Sequence, residues 1–134
     1  MGNALRPKDV DVLWEVRRAF EREFGPVLYK FDFVALNLDS AVALNTRRVW
    51  NPGVYVWMAG PEIIKVGRSL SNARKRALEH LQDNTGGTMA GLKDNPNSLL
   101  VLITVEPEDR HWAAALEIYL EEKLNPSIKS QREG

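Results

Sequence analysis

The chain has 134 residues, 44% of them hydrophobic and 27% charged, which suits one globular domain and is too short for two. It has no cysteine, which excludes disulfides and thiolate chemistry, and its 18 basic residues balance 18 acidic ones, which argues against gripping nucleic acid by overall charge alone. Without a long apolar run or a signal-like N-terminus, we expect a cytoplasmic protein with no membrane partner.

The N-terminal part of the chain predicts one helix and one strand. Residues 8 to 24 carry apolar side chains at helical spacing, at Leu13, Val16, Phe20 and Phe24, and Gly25-Pro26 is typical of a helix end. An extended segment with one buried face is predicted next, from the alternating aromatics Tyr29, Phe31 and Phe33. Residues 36 to 52 show no clear pattern.

A β-hairpin is predicted after Asn51-Pro52. Two strand-like runs, residues 53 to 58 and 63 to 67, flank a turn at Gly60-Pro61. Alternation along the strands puts Tyr55, Trp57, Ile63, Lys65 and Gly67 on one face, and Val54, Val56, Met58, Ile64 and Val66 on the core face. If the turn is centred on Gly60, Tyr55 and Lys65 are directly opposite, with Cβ atoms roughly 4.5–5.5 Å apart.

A basic helix follows the hairpin. Ser69 or Ser71 is placed to cap it, and its buried stripe comprises Leu70, Ala73, Ala77 and Leu81. Arg76 and His80 lie one turn apart at the border of that stripe. Five cations and no acid lie between residues 65 and 76, namely Lys65, Arg68, Arg74, Lys75 and Arg76. Such a run alone is most often a solvated helix face.

The C-terminal part predicts a buried strand and a last helix. After a polar loop over residues 83 to 98, the run LLVLITV at residues 99 to 105 is typical of a central strand covered on both faces. The helix begins near Glu108-Asp109 and ends at Asn125-Pro126, with Glu117 at the edge of an apolar arc of Trp112, Ala115, Leu116, Tyr119 and Leu120. We therefore expect an α/β chain (an α+β sandwich) with a small, mainly antiparallel central sheet, including the hairpin, flanked by helices.

The order of these elements resembles the GIY-YIG nuclease superfamily. The family's first motif matches Gly53-Val54-Tyr55, and its second, Tyr-Ile-Gly, aligns with Lys65-Val66-Gly67, which keeps only the glycine. The family's arginine and histidine, one helical turn apart, match Arg76 and His80. Its helix-borne glutamate matches Glu117 in AAALEIYLEEKLNPSIK.

Two positions depart from the family's pattern. Lys65 replaces the tyrosine of the second motif, as it does in some restriction endonucleases of this family that cleave DNA, and Lys129 stands where a closing asparagine is usual. The resemblance covers roughly residues 50 to 130. It implies a GIY-YIG-like nuclease domain at residues 49–134, with residues 1–48 as an N-terminal helix and strand extension packed on it.

The resemblance implies a metal-dependent endonuclease that hydrolyses DNA. Glu117 would be the sole protein ligand of Mg²⁺ or Mn²⁺, since Mg²⁺ commonly keeps several waters and takes further ligands from a phosphate. Tyr55 would orient or deprotonate the attacking water, with Lys65 lowering the tyrosine pKa or acting as the base itself. Arg76 would hold an oxygen of the scissile phosphate.

The remaining candidates have weaker roles, and other interpretations stay open. His80 would contact phosphate or assist proton transfer, although a packing histidine is equally expected. The candidate DNA-binding residues are Arg68, Arg74, Lys75 and Lys129. One alternative is a catalytically inactive GIY-YIG-like nucleic-acid-binding module, which predicts salt-sensitive DNA binding without metal-dependent cleavage. Another is an unrelated α/β interaction protein. It predicts that four residues do not cluster in space, namely Tyr55, Lys65, Arg76 and Glu117.

Overall fold

The computed structural model describes residues 7–43, 47–83 and 89–129. Its helices and strands are, in chain order, α1 (Pro7–Phe24), β1 (Phe31–Asn37), α2 (Leu38–Ala43), α3 (Arg47–Trp50), β2 (Gly53–Ala59), β3 (Glu62–Ser69), α4 (Ala73–Gln82), β4 (Ser98–Val105) and α5 (Arg110–Leu124). Short 3-10 helices cover Gly25–Lys30, Met89–Asp94 and Pro107–Asp109. Within these ranges no helix is both long and apolar enough to cross a membrane.

The four strands form one antiparallel sheet in the order β1-β4-β2-β3. Every residue of β4 is buried, because this strand pairs with β1 on one side and β2 on the other and is covered on both faces. The predicted central strand is therefore confirmed, as is the expected α/β class with a hairpin in an antiparallel sheet flanked by helices. β1 pairs with β4 over its whole length, so the N-terminal strand belongs to the same sheet.

Each face of the sheet has its own hydrophobic core. On one face, α1 and α5 pack on side chains of β2 and β4; this core includes Val16, Phe20, Val54, Val56, Ile103, Leu116 and Leu120. On the other face lies α4, and this second core includes Tyr55, Trp57, Ala73, Ala77, Leu81, Leu100 and Leu102. Trp57 ties α4 to the sheet, because its indole Nε1 donates to the backbone oxygen of Ala77 at 3.1 Å. The position of α4 relative to β2 is thus fixed by packing and by a buried hydrogen bond.

Several local expectations are wrong. Tyr29 is exposed and lies in the 3-10 helix Gly25–Lys30, where Pro26 near its start favours a tight helical turn over a strand. Leu70 is exposed and precedes α4, so it is not part of the buried stripe, and Ala115 is exposed on α5. α4 is capped by Asn72, whose side chain accepts from the backbone N–H of Lys75 at 3.0 Å.

The other boundaries agree with the sequence pattern or fall where it was undecided. α1, the hairpin strands and α5 begin and end within two residues of their predicted limits. The undecided residues 36 to 52 form the end of β1, α2 and α3, with residues 44–46 outside the described ranges. In the predicted loop, residues 84–88 also lie outside them, and Met89 and Leu92 are buried in the 3-10 helix that follows.

The register of the hairpin differs from the predicted one by two residues. Tyr55 pairs with Gly67, and Lys65 pairs with Trp57, so the predicted direct pairing of Tyr55 with Lys65 is wrong. Two features each shift the pairing of β3 with β2 by one residue. The first is the two-residue turn Gly60-Pro61 between the paired Ala59 and Glu62, and the second is a bulge at Ile64. Because side chains alternate with a period of two, this double shift keeps Tyr55 and Lys65 on the same face.

The bulge also exchanges two side chains between the cores. Ile63 packs with the core of α1 and α5, whereas Ile64 packs with that of α4, the reverse of the prediction. The turn itself needs Gly60, whose φ of 58° is a left-handed conformation that glycine adopts without steric cost.

Candidate active site

The predicted site centres on Tyr55, which crosses Gly67 on the neighbouring strand. Tyr55 is fully buried, and a Cβ added at Gly67 would coincide with the tyrosine hydroxyl and ring. Gly53 is under a similar constraint at the start of β2, because a Cβ there would meet the backbone of β4 2.7 Å from the Cα of Thr104. Both glycines therefore make room, one for a side chain and one for a neighbouring strand.

Burial and three charged side chains determine the state of the Tyr55 hydroxyl. Burial raises the pKa of Tyr55 above its usual value of 10.0, and the negative charges of Glu117 and Glu79 act in the same direction. The Arg76 guanidinium opposes this rise in pKa, both by its charge and by a hydrogen bond to the tyrosine. A neighbouring Lys65 was expected to lower this pKa, whereas the net effect is a rise, because burial outweighs the opposing charge of Arg76. Tyr55 is therefore a neutral hydroxyl at pH 7.

His80 packs against Tyr55 and is uncharged at neutral pH. The two ring centroids are 5.5 Å apart, tilted by 41°. Burial, together with the positive charges of Arg76 and Lys65, lowers the pKa of His80 from 6.5 to about 4, against an opposite effect of Asp83. Arg76 and His80 thus both reach the face of the sheet that carries Tyr55, as their spacing on the helix predicts.

Lys65 lies on this face with 5% of its surface exposed. It pairs with Trp57 on β2, and a bridge in the parallel direction joins it to Ile128, beyond the end of α5. The tail is held there because the backbone N–H groups of Ser127 and Ile128 donate to the oxygens of Ile63 and Ile64, at 3.1 and 2.8 Å. The C-terminal tail therefore pairs with the edge strand β3 at its bulge.

Glu117 reaches the site from the other side of the sheet. It lies on the buried side of α5, and its Oε1 accepts from Nη1 of Arg68 at 3.0 Å. Arg68 follows Gly67 on β3 and points to the face covered by α5, since it pairs with Val54 of that core. Gly67 therefore separates two groups of side chains, with Tyr55 on one face and the Arg68–Glu117 ion pair on the other. The negative charge of Glu117 contributes to the raised pKa of Tyr55.

The candidate DNA-binding residues lie in three places: on α4, in the C-terminal tail and on β3. Arg74 and Lys75 lie in the first turn of α4, and the side chain of Lys75 is exposed. Lys129 is exposed in the tail and donates to the side chain of Asn125, the left-handed residue that ends α5. Arg68 is ion-paired with Glu117. The structure thus places Arg68 in the site itself, which the sequence interpretation missed.

Two acidic side chains, Glu117 and Glu79, act on Tyr55, and Glu117 is the buried one of the two. Among the described residues, no three or more His, Asp and Glu side chains gather into a metal-binding group. Glu117, whose side chain is 5% exposed, faces the cationic head of Arg68. One carboxylate oxygen donor fits Mg²⁺ or Mn²⁺, because such ions complete their shell with waters and substrate phosphates.

No family model, no curated protein and no solved structure matches the chain.

Proposed function

We propose that the chain is a metal-dependent endonuclease that hydrolyses DNA phosphodiester bonds. The observation that supports this most is that Tyr55 and Arg76 lie on one face of the hairpin beside Gly67, while the buried Glu117, paired with Arg68, lies on the other face of the same strand end. Hydrolysis of a phosphodiester needs positive charge at the phosphate and an oriented water. The arginine, the carboxylate and the neutral hydroxyl are groups that meet these needs.

Glu117 would hold the metal. A bound Mg²⁺ or Mn²⁺ supplies positive charge at the phosphate and makes a bound water more acidic. In this role Glu117 exchanges its ion pair with Arg68 for the divalent cation.

Arg76 and Tyr55 would act on the phosphate and on the water. The Arg76 side chain is 48% exposed, and its Nη1 lies 3.9 Å from Oε1 of Glu79, so a phosphate oxygen would compete for its fork of donors only with a weak surface ion pair. Of the two roles expected for Tyr55, orientation of the water fits better, because the raised pKa keeps the proton on its hydroxyl at neutral pH. His80, uncharged and packed on the tyrosine ring, positions that hydroxyl.

A second candidate function is supported by the Arg68–Glu117 ion pair. This pair satisfies the buried carboxylate without a metal, so the same fold would be stable as a nucleic-acid-binding module that has lost catalysis. The exposed cations Lys75, Arg76 and Lys129 would then be the DNA contacts.

Plasmid nicking separates these two functions. We expect the purified protein to nick supercoiled DNA with Mg²⁺ or Mn²⁺ and to stop in EDTA, and Glu117→Ala to be inactive. Salt-sensitive DNA binding without nicking in either metal would favour the binding module. Neither nicking nor binding would contradict both, and a Glu117→Ala variant as active as wild type would remove the metal role of Glu117.

A further inference from the structure

We propose that Arg68 is a displaceable cation at Glu117: it neutralises the carboxylate when no metal is bound and moves to a DNA phosphate when a divalent cation takes its place. This inference rests on the proposed function, since it assigns a role to Arg68 in loading the same site. It makes metal binding and DNA binding mutually supportive.

The geometry of the Arg68–Glu117 ion pair supports the first half of this proposal, that Arg68 neutralises the carboxylate when no metal is bound. The guanidinium lies 3.0 Å from Oε1 of Glu117, whose side chain is only 5% exposed. An ionised carboxylate at this depth is costly unless a cation or several hydrogen-bond donors accompany it. The two residues lie 49 positions apart on β3 and α5, so the pair also joins the edge strand to the last helix.

The position of Arg68 supports the second half of the proposal, that the guanidinium moves to a DNA phosphate. Its side chain is 33% exposed and lies near the end of the edge strand β3, so it reaches solvent without disturbing the core. The exposed Lys75 follows shortly in the first turn of α4. A phosphate bound at this end of β3 would offer Arg68 a bidentate acceptor in place of the carboxylate.

Electrostatics require the exchange. A divalent cation and a guanidinium on the same carboxylate repel each other, so binding of one weakens binding of the other. When metal removes Arg68 from Glu117, the freed guanidinium adds one phosphate contact. By linkage, DNA that holds Arg68 raises the affinity of Glu117 for the metal by the same factor.

The first test measures Mn²⁺ binding to the protein without DNA, by electron paramagnetic resonance of the free ion. Arg68→Ala should bind Mn²⁺ about tenfold more tightly than wild type. In this variant the metal does not have to break the charged hydrogen bond between residue 68 and Glu117, and no guanidinium repels the bound ion. Arg68→Lys keeps the charge and loses the planar fork, so its Mn²⁺ affinity should lie between those of wild type and Arg68→Ala. If the alanine variant does not fold, the lysine variant takes its place and should still bind Mn²⁺ more tightly than wild type. Lys30→Ala is the matched control, since it breaks another inter-element ion pair, 3.2 Å from Lys30 to Asp109, and should bind Mn²⁺ like wild type.

The second test measures binding of a short DNA duplex in EDTA. Glu117→Gln should bind the duplex several-fold more tightly than wild type, because Arg68 is released. The gain should vanish when the same change is made in the Arg68→Ala background, which controls for the simple loss of a negative charge.

The outcomes separate this inference from the proposed function. Equal Mn²⁺ affinity in wild type and Arg68→Ala, or a Glu117→Gln gain that persists without Arg68, would overturn the exchange while plasmid nicking stood. Absence of both nicking and Mn²⁺ binding in every variant would overturn the two together.

Discussion

The side chain of Tyr55 occupies the space above Gly67 that a Cβ at position 67 would fill. This close crossing explains why a tyrosine on β2 and a glycine directly opposite on β3 belong together, although neither is informative alone. It also places the hydroxyl beside the strand end from which Arg68 projects toward Glu117. The glycine is thus a steric requirement of the site.

Gly67→Ala should therefore disturb both stability and activity. The added methyl forces the buried Tyr55 ring aside, so we expect a loss of about 1–3 kcal/mol in the free energy of unfolding, as for overpacked cores. Nicking should fall by at least about tenfold, because the groups of the proposed active site would lose their alignment. Urea denaturation and plasmid nicking measure the two effects. Gly91→Ala is the control, since a Cβ at Gly91 meets nothing within 4 Å; equal behaviour of both variants would contradict the steric role.

The sequence predicts the secondary structure better than it predicts the site. Helical periodicity in α1 and the apolar run of β4 are local signals, so both elements are predictable. The pairing of Tyr55 depends on a two-residue turn and a bulge at Ile64, neither of which has a sequence signal strong enough to fix the register. The Arg68–Glu117 pair joins residues 49 positions apart, and the charge pattern alone does not indicate which cation meets the carboxylate.

Tyr55 should destabilise the protein at alkaline pH. Its pKa in the folded state is raised above 10.0, so above pH 10 the unfolded chain loses this proton while the folded protein retains it. The neutral Tyr55 hydroxyl therefore contributes its full share of the unfolding free energy below pH 10, and this share is lost as the pH rises further. Urea unfolding at pH 8 to 11 should show a shallower alkaline decline for Tyr55→Phe than for wild type. Parallel pH profiles would show that Tyr55 titrates normally.

His80 should make the protein less stable in mild acid. Its pKa falls from 6.5 in the unfolded chain to about 4 in the folded protein, so between these values only the unfolded chain binds the proton. Stability is full above pH 6.5 and decreases as the pH falls toward 4, by at most about 3 kcal/mol. His80→Gln removes this term, so its unfolding free energy should depend less on pH in this window. An unchanged dependence would mean that the pKa of His80 is the same in the folded protein and in the unfolded chain.

The C-terminal tail should stabilise the bulge that carries Lys65. The N–H of Ile128 donates to the oxygen of Ile64 at 2.8 Å, and proline has no such donor. We expect Ile128→Pro to lower the unfolding free energy by about 1–3 kcal/mol more than Ile128→Ala, which removes the side chain and keeps the backbone bond. Equal stabilities in urea would show that the backbone pairing of the tail contributes nothing.

The most direct test of the central claim compares nicking rates of wild type and Glu117→Gln on supercoiled plasmid at saturating Mg²⁺. Glutamine keeps the size of the side chain and removes the charge that would hold the metal. We predict metal-dependent nicking by wild type and a loss of at least about 100-fold in the variant, with thermal unfolding showing that it is folded. Nicking by Glu117→Gln at the wild-type rate, or no nicking by wild type in Mg²⁺ or Mn²⁺, would contradict the account.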